Sequence, residues 1–194
     1  MSKGYTEIRY GETETNPLRR LRAYFLLSSF KGSNEDIYRA VHHFKDNKFF
    51  FANYSRDFFY KIDALLKDKL IIEVRRLLVC TDDDELNSEE SRRIIAFHST
   101  NSGYAYKVIY LKYYKEMLSE HGLHPFVDFG VFGKKRVYRA RTDQQDFVIG
   151  TWSRKKGEIT KYSDFFEGCW ECPHSFTVDP KDIESLSVDA LFKG

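Results

Sequence analysis

The chain has little of what marks disordered, secreted or membrane-spanning proteins. Only 4 of its 194 residues are proline and 11 are glycine, which disfavours disorder and low complexity. Three cysteines, an odd number, do not make a disulfide framework and fit a reducing compartment. The sequence has no apolar run of about 18 residues and no apolar segment behind its charged N-terminus, so neither a membrane span nor a signal peptide is predicted. We therefore expect an ordered, cytoplasmic protein.

Neither sign of charge dominates. The 31 basic and 29 acidic residues leave a formal charge of +2, so the chain lacks the global field of a dedicated nucleic-acid binder. Any site for an anion must therefore be local. Aromatic residues are abundant instead, at 16%, and with 42% hydrophobic residues overall the chain can build a substantial core.

Hydrophobic spacing predicts strands that alternate with helices as far as residue 121. The predicted strands are 36–44, 70–80 and 104–110, and the predicted helices are 54–68, 86–98 and 111–120. Crossover helices between strands are typical of parallel pairing. Three shorter strands are predicted at 126–132, 136–141 and 147–151, and a tight turn at residues 133–135 joins the first two into an antiparallel section. A helix through residues 162–170 follows. The sequence thus predicts an α/β fold with a mixed, mainly parallel sheet flanked by helices.

Clusters of turn-forming residues divide the chain into three predicted parts. Residues 1–34 are expected to form an N-terminal arm with a helix that starts near Pro17. Residues 35–172 are expected to form the α/β domain. Residues 173–194 are expected to be a C-terminal tail packed on that domain, with a weak helix at 183–191.

Five segments, taken in order, carry a resemblance to a known family. They are residues 37–41, 58–66, 74–79, 128–132 and 165–170. Together they resemble a group of degenerate phospholipase D-like domains, over residues 36–170. The resemblance implies a mixed sheet between helical layers and, in members with a single motif, a homodimer.

The family's catalytic motif, His-x-Lys-x-x-x-x-Asp, has lost its defining residues in the corresponding strand, where Phe126, Asp128 and Gly133 stand at the three positions. A phenyl ring cannot attack phosphorus, and a carboxylate repels a phosphate. The resemblance therefore implies a catalytically inactive domain without a cofactor. Such a domain would bind a ligand or a protein partner, as a regulatory or defence-related accessory protein.

Six residues are candidates for binding a small anionic ligand: His42, His43, Lys45, Arg75, Arg76 and Asp128. The first three leave the first predicted strand at the edge where α/β folds tend to bind ligands. Asp128 lies on the motif strand, where it could pair with Arg75, Arg76 or Arg139 rather than act on a substrate. A nuclease whose site is relocated to His42, His43 and Asp128 is the least favoured hypothesis.

A second group of candidates concentrates positive charge in the later part of the chain: Lys134, Lys135, Arg136, Arg139, Arg154 and Lys155. Tyr138 and Trp152 are expected to be exposed aromatic residues close to them. Such a cluster favours nucleic acid or another polyanion as a partner, bound in a retained phosphodiester groove. Turns are also basic simply because they are solvated, so nucleic-acid binding is the alternative hypothesis here.

Metal binding is not predicted. Cys169, Cys172 and His174 have the spacing of zinc ligands, but no fourth ligand is nearby, and a structural zinc site normally needs four. The acidic run 82–85 is better explained as the start of a helix, because carboxylates stabilise the positive end of a helix.

Overall fold

The computed structural model describes residues 5–10, 36–46, 53–124, 128–142, 148–178 and Leu191. Within them, one sheet of eight strands carries helices on both faces. The strands are β1 (Tyr5–Tyr10), β2 (Ile37–His43), β3 (Glu73–Cys80), β4 (Tyr104–Tyr110), β5 (Asp128–Phe132), β6 (Arg136–Thr142), β7 (Val148–Ser153) and β8 (Ser175–Phe176). The helices are α1 (Asn53–Lys67), α2 (Asp83–Leu86), α3 (Glu89–Thr100), α4 (Leu111–Glu120) and α5 (Lys156–Glu171), and a 3-10 helix spans Phe44–Asp46.

The sheet is mixed, with strand order β1-β7-β6-β5-β2-β3-β4-β8. Strands β2, β3 and β4 are parallel, because helical crossovers return the chain to the same end of the sheet. Every other pairing among the described strands is antiparallel. The prediction of a mixed α/β fold is confirmed, but the prediction that the sheet is mainly parallel is wrong. Short connections force β5, β6 and β7 to run antiparallel, and β1 and β8 pair antiparallel at the two outer edges.

The predicted helix at 86–98 corresponds to α3, and a separate short helix, α2, precedes it. Asp82 caps the start of α2, and its Oδ1 accepts the Glu85 N–H at 2.9 Å. Ser88 caps the start of α3, and its Oγ accepts the Ser91 N–H at 3.2 Å. Each helix thus has its own N-terminal cap. The acidic run therefore begins a helix, as predicted.

Alternating side chains of the sheet build two core layers. One layer packs against α1 and α3, and it contains Tyr38, Val74, Leu78, Phe59, Ile62 and Phe97. The other layer packs against α4 and α5, and it contains Val41, Leu77, Phe129, Tyr114, Tyr162 and Phe166. The aromatic abundance noted above therefore serves mainly to fill these two layers.

The two ends of the chain contribute edge strands. β1 pairs with β7 from Tyr5 opposite Ser153 to Tyr10 opposite Val148, and β8 pairs with β4. Leu191 is fully buried, and its carbonyl accepts a hydrogen bond from Arg93 Nη2 at 2.7 Å. The predicted helix after Pro17, most of the predicted helix at 183–191 and Phe126 lie outside the described residues. In the part of the chain that is described, no helix is long and apolar enough to cross a membrane.

Candidate functional site

Two basic segments meet at the end of the sheet where the parallel strands begin, which we call the starting end. The turn after β5 carries Lys134 and Lys135 and leads into β6 at Arg136, while β7 ends at Ser153 and leads into α5. Val137 pairs with Ser153, which sets Arg136 beside Arg154. We call Lys134, Lys135, Arg136, Arg154, Lys155 and Lys156 the basic edge. The structure thus brings together five of the six residues predicted to bind nucleic acid, with Lys156 following them in the sequence.

Positive side chains predominate at the basic edge. All its side chains are exposed except that of Arg136, which is half-buried. Burial, and after it the Arg154 guanidinium, lowers the pKa of Arg136. A nearby carboxylate is that of Asp36, which is buried and lies 3.9 Å from Lys135 Nζ. Bound phosphates would relieve the mutual repulsion of these cations.

The basic turn has a defined backbone. Gly133 adopts φ 54°, and its N–H donates to the Ile37 carbonyl at 3.2 Å. The Lys135 N–H donates to the Phe132 carbonyl at 3.1 Å and closes the turn. A Cβ at Gly133 would collide with the Asp36 carboxylate beneath it. Glycine is therefore required here both by the left-handed backbone and by the close approach of Asp36.

The first turn of α5 adds main-chain donors to the basic edge. Lys155 is the N-cap residue and makes no side-chain capping bond, while its own N–H donates to Ser153 Oγ at 3.2 Å. The neighbouring Gly157 faces open space. Since helix N-termini attract anions through their N–H groups and their dipole, this turn can contribute to binding a phosphate beside the lysines.

Arg139, Tyr138 and Trp152 do not join the basic edge. Arg139 turns toward α5, where its Nη2 lies 3.3 Å from a Glu158 carboxylate oxygen and its guanidinium 5.5 Å from the Tyr162 ring centre. The expectation that Tyr138 is exposed is wrong, since it is 2% exposed. Trp152 is half-buried and packs on it at 4.7 Å between ring centres. The alternation of β6 and β7 turns both rings into the core.

At the opposite, carboxyl end of the parallel strands, His43 meets Asp128, with Nε2 and Oδ1 3.6 Å apart. The His43 ring is buried, edge-on to the Tyr114 ring at 5.4 Å. Burial, and after it the charge of Lys115, lowers the pKa of His43 to about 4. The imidazole is therefore neutral at pH 7. His42 lies on the other face of β2 and Lys45 is exposed beyond the strand.

The structure does not bring Arg75 and Arg76 to Asp128. Arg76 is buried under α1, with its guanidinium 5.5 Å from the Phe59 ring centre. Arg75 lies on the α5 side of the sheet, where it pairs with Glu73 and Glu167. Arg39 joins the same cluster, and sequence reasoning missed it. The signal was available, because two parallel strands with the same alternation set Arg39 opposite Arg75.

The described residues hold no group of three or more His, Cys, Asp or Glu side chains able to bind a metal ion. Cys169 is buried, and burial followed by the neighbouring Cys172 raises the pKa of its thiol to about 12. His174 stacks on Tyr113 with ring centres 3.7 Å apart. In the acidic run, Asp82 caps α2 and Asp83 accepts a hydrogen bond from the Tyr110 hydroxyl.

No protein-family model matches the chain, and no curated protein matches it in sequence. Among solved structures, it is similar to TrmBL2, an archaeal chromatin protein whose structure is described as showing a novel mode of DNA binding. The similarity has a TM-score of 0.48 at 10% sequence identity and covers 91% of this chain. The chain spans 55% of the length of that protein. A likeness of this extent assigns no function.

Proposed function

We propose that this protein binds nucleic acid through the phosphate backbone at the basic edge. The observation that carries the proposal is the convergence of six cationic residues, from the two segments that flank the paired strands β6 and β7, at one end of the sheet. Asp36, the carboxylate near Lys135, is buried beneath the turn rather than presented to solvent. Such a cluster neutralises phosphates and releases their counterions on binding.

The mode of binding follows from where the aromatic side chains lie. Stacking on bases needs exposed rings, and Tyr138 and Trp152, the two rings that the sequence suggested for this role, pack on each other. The basic edge therefore offers contacts to phosphates and none of these rings to bases. Phosphate contacts position a nucleic acid but carry no direct sequence information. We expect affinity that depends strongly on salt and weakly on sequence.

Binding without hydrolysis is part of the proposal. It is supported by the sequence, in which Phe126 and Asp128 stand where the phospholipase D-like motif has its nucleophile and its phosphate-binding lysine. Asp128 begins β5, whereas the basic turn follows the end of that strand. The basic edge therefore adjoins only the last motif position, Gly133, and lies at the other end of the strand from Asp128. The family's homodimer stays a prediction, which light scattering would test.

A ligand site at the carboxyl end is the second candidate, favoured by the contact between His43 and Asp128. A neutral imidazole beside a carboxylate offers a small anion no net attraction. A neutral or cationic ligand, or a protein partner, suits these two groups better. This candidate therefore ranks behind the basic edge.

The test is fluorescence anisotropy of a labelled short duplex at about 50 mM and about 200 mM salt, a range over which phosphate-driven binding weakens strongly. Two variants are compared with the wild-type protein. Lys134→Glu with Arg154→Glu reverses two charges of the basic edge. Arg92→Glu with Lys112→Glu makes the same change in net charge near the starts of α3 and α4, at the carboxyl end of the sheet. Thermal melting confirms that both are folded.

We expect the basic-edge variant to bind about tenfold or more weaker than wild type, with the slope of log affinity against log salt reduced by about 2. The Arg92 and Lys112 variant should keep most of the affinity. The proposal is wrong if the wild-type protein does not bind at the lower salt concentration, or if the two variants weaken binding equally.

A further inference from the structure

We infer that Arg39 and Arg75 form a second phosphate site of the same interface, which the Glu167 carboxylate occupies when no nucleic acid is bound. The inference rests on the proposed function, because it extends the basic edge along helix α5. It also assigns a role to Glu167, as an internal competitor that limits affinity.

The two arginines hold Glu167 as they would hold a phosphate. Arg39 Nε lies 2.5 Å from Oε1 of Glu167, and Arg75 Nη1 lies 3.2 Å from Oε2. Each oxygen of the Glu167 carboxylate thus contacts a different guanidinium. Arg39 and Arg75 are register partners on adjacent parallel strands, so their guanidiniums start from backbones about 4.8 Å apart. Paired guanidiniums at this spacing match the oxygens of one phosphate group.

A phosphate can reach this pair from solvent. The side chains of Arg39, Arg75 and Glu167 are 18%, 26% and 35% exposed. Glu167 is the most exposed of the three, so its carboxylate can be solvated when a phosphate takes over the pairing with both guanidiniums. Arg75 keeps its other ion pair, with Glu73 at 2.8 Å.

Helix geometry connects the pair to the basic edge. Lys156 and Glu167 are eleven residues apart on α5, which is about three turns, so both lie on the same side of the helix. At about 1.5 Å per residue they are roughly 16 Å apart along its axis. A nucleic-acid strand covers this distance in about five nucleotides at 3.4 Å each. One strand can therefore contact Lys156 and the arginine pair together.

Helix α5 does not depend on Glu167 for its position. Glu158 pairs with Arg139 near the start of the helix, and the Trp170 carbonyl accepts a hydrogen bond from Lys107 Nζ at 2.5 Å near its end. Phe165, Phe166 and Cys169 are fully buried between these points. Neutralising Glu167 should therefore leave the fold intact.

The test is the same anisotropy experiment on Glu167→Gln, which keeps the side-chain shape and removes the charge. Glu171→Gln is the matched control, since Glu171 is exposed one turn further along α5 and its change removes the same charge. We expect Glu167→Gln to bind about five- to tenfold tighter than wild type, with a steeper salt slope. Glu171→Gln should change affinity about twofold at most, the effect of long-range charge alone. Arg39→Gln added to Glu167→Gln should abolish the gain.

The outcomes separate this inference from the proposed function. If wild type binds through the basic edge but Glu167→Gln binds with unchanged affinity and slope, the inference is overturned and the proposed function stands. Equal gains from Glu167→Gln and Glu171→Gln would overturn it too, because only net charge would then be involved. If neither wild type nor Glu167→Gln binds, both fail.

Discussion

The imidazole of His43 faces the carboxylate of Asp128, 3.6 Å away from Nε2 to Oδ1, although the two residues belong to different halves of the chain. His43 ends β2 and Asp128 begins β5, the antiparallel neighbour of β2. Tyr114 packs edge-on against the imidazole, and the positive charge of Lys115, on the same helix, disfavours protonation of the imidazole. The free-energy cost of charging the imidazole away from water outweighs its attraction to the Asp128 carboxylate. The imidazole therefore stays neutral in the folded protein.

This arrangement predicts a loss of stability in acid. Burial lowers the pKa of His43 from 6.5 to about 4, so the unfolded chain binds the proton more tightly than the folded one. The stabilisation is present above pH 6.5 and is lost as the pH falls toward 4, by up to about 3 kcal/mol. Urea unfolding midpoints measured between pH 7.5 and pH 4 should fall accordingly.

The variant that checks this is His43→Gln, which should flatten that part of the pH dependence. Some dependence must remain, because burial also lowers the pKa of His98, to about 3. His124→Gln changes an exposed histidine and should leave the wild-type profile unchanged. A His43→Gln profile parallel to that of wild type would contradict the prediction.

Gly133→Ala should destabilise the protein and weaken nucleic-acid binding together. The backbone at Gly133 has φ 54°, and an added methyl group would strike Asp36. Strain of both kinds costs about 2 to 4 kcal/mol. If the turn shifts to relieve this strain, Lys134 and Lys135 move with it. The affinity for oligonucleotides should therefore fall as well.

Gly157→Ala is the control for that change. Gly157 lies in the first turn of α5 and faces open space, so alanine should be neutral or should stabilise by up to about 1 kcal/mol. Chemical denaturation of both variants gives the comparison. Equal effects of the two substitutions would show that the turn does not need its glycine.

The three thiols should react at very different rates. Burial raises the pKa of Cys80 and that of Cys169 to about 12, which leaves almost no thiolate at pH 8. Cys172 is partly exposed at the end of α5. A chromogenic disulfide reagent should therefore modify one thiol quickly in the native protein and the other two only on unfolding. Cys172→Ser should remove the fast reaction, and persistence of that reaction would contradict the assignment.

The fold could be predicted where local spacing decides it. Helix α1, strand β4 and helix α4 lie where hydrophobic spacing places them, because each helix buries one face and β4 alternates Tyr106 and Val108 into one core layer. Whether neighbouring strands pair in parallel or antiparallel was harder to predict, because it depends on the connections between the strands. The tight turn at Gly133 argued for an antiparallel pair, but the pairing of β1 with β7 joins distant segments and has no local signal.

The candidate site was predictable in composition but not in arrangement. Lys134 and Arg154 stand out as members of basic clusters, yet only the register of β6 with β7 brings them to one end of the sheet. Arg139 belongs to the same cluster in sequence, but the alternation of β6 directs it to Glu158. The contact of Arg39 with Glu167 joins β2 to α5, and no spacing along the chain reveals it.

The pairing of β1 with β7 has a consequence for synthesis on the ribosome. Tyr5–Tyr10 leaves the exit tunnel before Val148–Ser153, with which it pairs and which is translated more than a hundred residues later. Until residue 153 has emerged, the nascent chain carries β1 without its neighbour. Slowing translation before residue 148 should therefore lengthen the period in which this strand can pair with the wrong chain.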